Sequence, residues 1–173
     1  RRMPPRWVLS KIHAQKREGR GPEDLDVQSG FDAELVDLFE GYQRALRSSN
    51  AVDFEDLIVL AMRVAEDQKS AAGRELRERF RYVLVDEFQD TNITQYRLVR
   101  ALSAGTRNLC VVGDDDQSIY RWRGADVRII RGFRHDFPDA EVVKLEQNYR
   151  STANIVKAAL AVIAPALDRE PKQ

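Results

Sequence analysis

The sequence lacks several features that would each define a class of protein. It holds one cysteine in 173 residues, which excludes an internal disulfide framework. No apolar run reaches the roughly 20 residues of a membrane-spanning helix. Residues 1–5 do not form the apolar core of a secretion signal. These absences predict a protein of the cytoplasm with no membrane partner.

Two further absences concern charge and phosphate binding. Lys plus Arg and Asp plus Glu each number 28, so the net charge indicates no partner. The sequence also has no G-x-x-x-x-G-K-[ST] loop, the segment that cradles nucleotide phosphates in P-loop proteins. The first residue is Arg1 and not Met, from which we expect a piece of a longer protein.

Basic residues are unevenly placed along the chain. The first twenty residues carry seven basic side chains against one acid, and residues 121–134 carry five arginines against one acid. Basic patches are the usual electrostatic footprint of nucleic-acid binding. A short basic run is more often a solvated face, and this remains the favoured interpretation of the N-terminal run.

Hydrophobic periodicity and capping residues predict alternating helices and strands. Helices are expected near 6–17, over 31–47, from Phe54 to about Asp67 with Asp53 as N-cap, over 71–79, 94–104 and 125–134, and from 152 to about 164 with Ser151 as cap. Strands are expected at 81–85, 109–112 and 141–145. In the helix that begins at Phe54 we expect Leu57, Ile58, Leu60, Ala61 and Val64 to pack inward.

The order strand, helix, strand, helix, strand is typical of a parallel α/β sheet with crossover helices. A length of 173 residues suits one domain or parts of two. Boundaries are expected near residues 52 and 145, where a helical block gives way to the sheet and the sheet to a last helix. Cys110 lies in an apolar run, which predicts a buried, inert thiol.

Two carboxylates follow the first predicted strand, in the run Tyr82 to Asp90. In open α/β sheets ligands bind beyond the carboxyl ends of the strands, where Asp86 and Glu87 stand. An Asp in this position holds Mg²⁺ in P-loop nucleotide hydrolases, and a neighbouring Glu can act as a base toward water. The plain alternative, an Asp that only caps the next helix, is about as probable on this run alone.

The second predicted strand also ends in polar residues, the run Gly113-Asp114-Asp115-Asp116-Gln117-Ser118. Two neighbouring strand ends with polar groups at one sheet edge are difficult to explain by core packing. Three consecutive aspartates could also indicate calcium. The EF-hand spacing with its distal Glu is absent, which disfavours that alternative.

Aromatic residues and arginines alternate directly after this loop, in the run Ile119 to Ala125. Tyr120 and Trp122 could stack on single-stranded bases while Arg123 reaches phosphate. The equally weighted alternative is that both rings are half-buried anchors that pack the loop. Arg150, at a later strand-to-helix junction, could reach a γ-phosphate, or simply pair with Glu146 or the sheet edge. The two histidines, His13 and His135, have no partner at catalytic spacing and are expected at the surface.

Four motifs in one order carry a specific resemblance. They are Asp-Phe-Glu-Asp-Leu-Ile (53–58), Val-Asp-Glu-Phe-Gln-Asp-Thr-Asn (85–92), Val-Gly-Asp-Asp-Asp-Gln-Ser-Ile-Tyr-Arg-Trp-Arg-Gly-Ala (112–125) and Leu-Glu-Gln-Asn-Tyr-Arg-Ser (145–151). In content and spacing the chain resembles the UvrD/Rep/PcrA family of superfamily-one DNA helicases over about residues 53–165. Residues 1–50 resemble the family's inserted helical subdomain more loosely.

The resemblance implies a role for each motif residue. Asp86 would hold the Mg²⁺ of bound ATP, and Glu87 would activate the attacking water. Gln117 would sense the γ-phosphate. The other implied roles are single-stranded DNA contacts for Tyr120, Trp122 and Arg123, a γ-phosphate contact for Arg150 and adenine stacking for Tyr149.

The resemblance also implies an architecture and a reaction. The fold would be the partial parallel sheet of a P-loop (RecA-like) motor domain with crossover helices, preceded by a helical segment from an inserted subdomain. Residues 1–52 would end that subdomain, 53–145 would form the second half of the first motor domain, and 146–173 would begin the second. The parent would use ATP to move 3′ to 5′ on single-stranded DNA and open duplex junctions, with a role in DNA repair.

The family's phosphate loop and its first DNA-contact motif would lie before Arg1, and its last motifs after Gln173. Because phosphoryl transfer needs several such parts at once, we expect this chain alone neither to bind ATP tightly nor to hydrolyse it. The missing segments would also supply central strands. An open sheet edge pairs readily with another chain, so we expect self-association.

Two functions of other classes remain open. The chain could be a non-catalytic module that binds single-stranded nucleic acid, for which Trp122→Ala would weaken binding and Glu87→Gln would not. It could also be an assembly surface, in which the helix over 31–47 and the sheet edge dock a partner. For the parent protein, a helicase joined to a nuclease domain is a closely related alternative. Such a nuclease domain would lie outside these residues.

Overall fold

The computed structural model describes residues 3–165, which form seven α-helices, four short 3₁₀-helices and two short strands. The predicted segment 146–173 and the basic run at the N-terminus extend outside the described residues. The helices are α1 (Pro5–Arg17), α2 (Gly30–Ser48), α3 (Phe54–Glu66), α4 (Ala71–Arg79), α5 (Ile93–Ser103), α6 (Val127–Asp136) and α7 (Ala153–Ile163). The strands are β1 (Val83–Val85) and β2 (Leu109–Val111). Each lies where periodicity predicts it.

The sheet is a parallel pair in which Val83, Leu84 and Val85 face Leu109, Cys110 and Val111. Helix α5 connects the two strands, which confirms the α/β character and the parallel order. The predicted third strand at 141–145 is wrong, because no described strand pairs with this segment. All residues from 141 to 150 are exposed. Strand propensity without a partner for the backbone N–H and C=O groups does not make a strand.

Side chains cap the N-terminal ends of α3 and α5. Asp53 accepts from the backbone N–H of Asp56 at 2.7 Å, and Asp56 accepts in return from the N–H of Asp53, as predicted for this N-cap. Asn92 and Gln95 form the same reciprocal pair at the start of α5. The predicted cap Ser151 is wrong. Thr152 holds that position without a side-chain hydrogen bond.

Helix α3 turns a different face inward than the sequence predicts. Val59, Met62 and Ala65 are buried, whereas three of the predicted core residues, Leu57, Leu60 and Val64, are 40–53% exposed. Ile58 and Ala61 are half-buried. The buried side of α3 packs on α1, α4 and α5. Apolar residues lie on both sides of this helix, so periodicity alone could not choose between them.

Two small hydrophobic cores hold the molecule. The first joins α1 and α2 through Val8, Ile12 and Phe39. The second lies under the sheet, where Phe88, Tyr96 and Ile129 are buried and the Phe88 ring meets the Tyr96 and Phe133 rings edge-on, with centroids 6.0 and 5.5 Å apart. Phe39 of α2 is fully buried, whereas Phe31 near the start of this helix is half exposed.

A buried lysine fastens α1 to α3. Lys16 is 2% exposed, and its ammonium group contacts Asp53 and lies 2.8 Å from Asp56 Oδ1. On the other side of α1, the hydroxyl of Thr94 in α5 donates to the carbonyl oxygens of Lys16 and Arg17. The C-terminal end of α1 is thereby fixed to α3 and α5.

One face of the sheet is uncovered. Leu84 is 76% exposed, and Cys110 beside it is exposed as well, so the predicted burial of this thiol is wrong. Burial of a strand requires a layer on each face, and among residues 3–165 only α5 and α6 pack against the sheet, on one face. Among residues 3–165 no helix combines the length and apolarity needed to cross a membrane.

Candidate nucleotide and nucleic-acid site

Asp86 and Glu87 stand exposed at the carboxyl end of β1, as the sequence predicts. Asp86 Oδ1 accepts the backbone N–H of Glu87 at 2.8 Å. Glu87 has φ of 51°, in the left-handed region that residues with a Cβ rarely adopt. Such a conformation costs about 1–3 kcal/mol and persists where the surroundings impose it, which is common at functional sites.

The loops that follow β1 and β2 lie against each other. The N–H of Val112 donates to Val85 O at 2.8 Å, and the N–H of Phe88 donates to Val112 O at 2.9 Å. Pairing therefore continues past the two strands, and it carries both polar runs to one edge of the sheet. This juxtaposition confirms the prediction that the strand ends share an edge.

Gln89, for which no role was predicted, is buried between these two loops. Its side-chain amide donates to Glu87 Oε2 at 2.8 Å and accepts the N–H of Asp114 at 3.1 Å. In the sequence, the signal that could have indicated a role for Gln89 was its position in the same motif as Glu87. Its burial depends on the approach of the second loop, which the sequence does not display.

Gln117 lies in the loop after β2, exposed and turned back on its own turn. Its amide donates to Asp114 Oδ2 at 2.8 Å, and its N–H donates to Asp114 O at 2.9 Å. Asp115 pairs with Arg131 of α6 at 3.2 Å. Asp114, Asp115 and Asp116 each place one oxygen within 4.8 Å of the others, but the Arg131 guanidinium already occupies Asp115 Oδ2.

The aromatic residues after this loop form a compact group with one arginine. The guanidinium of Arg123 lies 4.8 Å from the Tyr120 ring centre and 4.7 Å from that of Trp122. Trp122 is 71% exposed. The alternative that Trp122 is a half-buried anchor is therefore wrong, whereas Tyr120 is half-buried. An exposed indole beside a guanidinium can stack on a base and contact its phosphate.

A groove of about 820 Å³ runs from this aromatic group to α1 and α3. Arg6, His13 and Arg17 line one wall, Phe54 another, and Trp122 and Arg123 a third. The groove thus joins the basic N-terminal helix to the stacking residues. Its cations suit a negatively charged chain, and the carboxylates of Glu55 and Asp90 line the groove as well.

Arg17 packs between the groove and the aromatic loop. It donates to Glu55 Oε1 at 3.1 Å, and its side chain lies against Gly124, where an added Cβ would come within 3.0 Å of Arg17 Cδ. Gly124 has φ of +91°, which favours glycine for a second reason. The loop that carries Trp122 is therefore seated on α1.

His13 has charged neighbours that the sequence did not indicate. Its Nε2 lies 3.8 Å from Asp53 Oδ2, and its Nδ1 lies 3.7 Å from Glu55 Oε1. Burial opposes the ionisation of Asp53, yet hydrogen bonds from Lys16 and Tyr42 outweigh it and hold the pKa of this carboxyl below its usual value. Burial, together with the hydrogen bond to Asp53, raises the pKa of Tyr42 to about 12.

Arg150 and Tyr149 are not brought to the other site residues. Tyr149 is 92% exposed. The backbone N–H groups of Arg150 and Ser151 donate to Asn148 Oδ1 at 2.9 and 2.8 Å. Within the described part of the chain Arg150 forms no ion pair with Glu146, so that alternative is wrong as well.

Comparison with known proteins matches the sequence of this chain to one family. The family described as UvrD/REP helicase N-terminal domain matches residues 5–138, most of the chain and both loops of the site. The chain belongs to this family. The resemblance to UvrD-type helicases is thereby confirmed.

Individual relatives extend the match over almost the whole chain. An ATP-dependent DNA helicase PcrA of Staphylococcus epidermidis is 44% identical over 99% of this chain and 24% of its own length. The protein of the same name from Bacillus subtilis is 44% identical over 97% of this chain and 23% of its own length. A third, from Staphylococcus aureus, is 42% identical over the same shares. The chain thus spans about a quarter of the length of these relatives.

Proposed function

We propose that this chain is part of an ATP-dependent DNA helicase that moves 3′ to 5′ along single-stranded DNA. The observation that carries the proposal is the contact between the two strand-end loops. One presents Asp86 and Glu87, and the other leads within a few residues to the exposed Trp122. A nucleotide site and a single-strand site then share one pair of touching loops.

The nucleotide side rests on Asp86 and Glu87. Asp86 fits a magnesium ion, because a carboxylate is the hard oxygen ligand that Mg²⁺ takes together with substrate phosphates. Such an ion would neutralise charge on the phosphates of ATP. Glu87, exposed beside it, accepts the proton of the attacking water. Glu87 has a strained φ of 51°, and its carboxylate accepts from the buried amide of Gln89.

Three further residues complete this side. Gln117 senses the γ-phosphate from the loop after β2. Arg150 reaches the γ-phosphate across a cleft between motor domains, and Tyr149 stacks near the adenine. The exposure of Tyr149 and Arg150 supports roles that are completed by other parts of a longer protein.

On the DNA side, Tyr120, Trp122 and Arg123 contact single-stranded DNA at a duplex junction. Trp122 stacks on a base, since its ring is exposed and Arg123 lies over it. The groove toward α1 adds Arg6 and Arg17 as partners for phosphates. The basic residues of the N-terminal helix thereby gain a role that their sequence alone did not favour.

We further propose that the two strands belong to the sheet of a P-loop (RecA-like) motor domain. In that reading residues 1–52 come from an inserted helical subdomain, 53–145 from the first motor domain and 146–173 from the second. Because the chain has no phosphate loop, it does not hydrolyse ATP by itself. The uncovered sheet, with Leu84 exposed, supports self-association of the isolated chain.

Binding of a fluorescently labelled oligo-dT to this chain tests the DNA site. We expect Trp122→Ala to weaken binding about 5- to 150-fold, the loss of one base stack of about 1–3 kcal/mol. Tyr82→Ala is the matched control, because Tyr82 is also 71% exposed but lies at the start of β1, outside the groove. Equal affinities of both variants and the native chain would refute the assignment of Trp122.

A non-catalytic single-strand module is the second candidate. The groove favours it, because cations such as Arg6 and Arg17 line it together with Trp122, whereas Asp86 and Glu87 do not. The two proposals differ at Glu87. In a full-length protein that carries this sequence, Glu87→Gln removes ATP-driven movement under the first proposal and changes nothing under the second.

A further inference from the structure

The side chain of Gln89 contacts both loops of the site. It is 1% exposed. Its Nε2 donates to Glu87 Oε2 at 2.8 Å, and its Oε1 accepts the N–H of Asp114 at 3.1 Å. A buried amide with both ends satisfied holds its two partners in a fixed relation.

The chemistry of the partners fixes the orientation of this amide. An ionised carboxylate can only accept, and a backbone N–H can only donate. Turning the amide of Gln89 over would therefore set like groups against each other at both ends. The bond to Glu87 is also charge-assisted, which makes it the stronger of the two.

Two further residues of the loop after β2, Ser118 and Gly113, lie against Gln89. The hydroxyl of Ser118 donates to the backbone carbonyl of Gln89 at 3.2 Å. A Cβ on Gly113 would lie 2.8 Å from Gln89 Oε1, closer than real Cβ contacts. A glycine at 113 is thus required for the amide to sit where it does.

Glu87 needs this support because its backbone is strained. With φ of 51° it would relax toward ordinary conformations unless its neighbours hold it. Phe88 is fully buried on one side, and Gln89 holds the carboxylate itself. Gln89 links the Glu87 side chain to the second loop.

We propose that Gln89 is a positioning residue for ATP hydrolysis. It orients the Glu87 carboxylate toward water, and it makes that orientation depend on the loop 113–118, which leads to Tyr120 and Trp122. A shift of this loop upon DNA binding would move Asp114 N–H and Gly113, and with them the amide that holds Glu87. This inference rests on the proposed function of Glu87.

Steady-state ATP hydrolysis by a full-length protein that carries this sequence tests the inference. Gln89→Met keeps the length and packing of the side chain but removes both hydrogen bonds. We expect kcat with single-stranded DNA to fall about 10- to 100-fold, as for a misplaced catalytic group. The KM for ATP should change less than about twofold, because Gln89 is not placed on the nucleotide. Gln68→Met, at an exposed glutamine, is the matched control.

A second variant displaces the amide without removing it. Gly113→Ala pushes a methyl group against Gln89, whereas Gly105→Ala adds the same group where nothing lies within 4 Å. We expect the first to reproduce the loss of kcat and the second to behave as the native protein. Thermal melting of each variant verifies that the site is compared in folded protein.

The outcomes distinguish a failure of the role inferred for Gln89 from a failure of the function proposed for Glu87. If Glu87→Gln abolishes turnover while Gln89→Met and Gly113→Ala keep native kcat, Gln89 does not position Glu87 and the inference is wrong. A rise in KM with unchanged kcat would also overturn it, since that result indicates nucleotide binding. If Glu87→Gln itself retains native turnover, the proposed function fails first.

Discussion

The loops after β1 and β2 and the segment 141–151 carry motifs of similar specificity, yet the chain holds them very differently. The two loops are tied by backbone hydrogen bonds and by buried Gln89. Every residue from 141 to 150 is exposed, although this segment is rich in residues that favour strands. The difference teaches that a site motif takes its shape from what packs against it. The two loops pack against each other within this chain, whereas residues 141–150 stay exposed.

A pair of core and surface variants gives the largest contrast between these regions. Phe88→Ala removes a fully buried ring and should lower the free energy of unfolding by about 3–5 kcal/mol. Leu145→Ala, at a residue that is 84% exposed, should stay within about 0.5 kcal/mol of the native chain. Urea denaturation followed by circular dichroism measures both. A cost at Leu145 similar to that at Phe88 would mean that the segment 141–151 is packed after all.

Lowering the pH should reduce the free energy of unfolding by a smaller amount, through a carboxylate in the packed part of the chain and not through the exposed segment 141–151. The pKa of Asp53 is held below its unfolded value, so its stabilisation is complete above about pH 4 and is lost as pH falls through the folded value. We expect the free energy of unfolding to decline in that range. Asp53→Asn should flatten part of the decline, and Glu146→Gln, from the exposed segment, should leave it unchanged. An unaltered decline in the Asp53 variant would contradict the assigned ion pair with Lys16.

Much of the local structure could be predicted from the sequence, because local signals determine it. The cap at Asp53, the helix over 31–47 and the carboxylates at the end of β1 all lie where spacing places them. These features depend on neighbours three or four residues away.

Features that depend on distant neighbours could not be predicted in the same way. The inward face of α3, the exposure of Cys110 and the missing third strand are each decided by which layers cover a surface. The burial of Gln89 and the contacts of His13 depend on approaches across 25 and about 40 residues of sequence. Motif content indicated the chemistry of the site but not which side chains hold it in place.

Hydrolysis of MgATP, measured with and without single-stranded DNA in a full-length protein that carries this sequence, tests whether one pair of touching loops joins a catalytic carboxylate to a DNA-stacking surface. We expect Glu87→Gln to lower DNA-stimulated kcat about 10²- to 10⁴-fold, the usual contribution of a general base, while DNA affinity stays native. Native turnover in that variant would contradict the account.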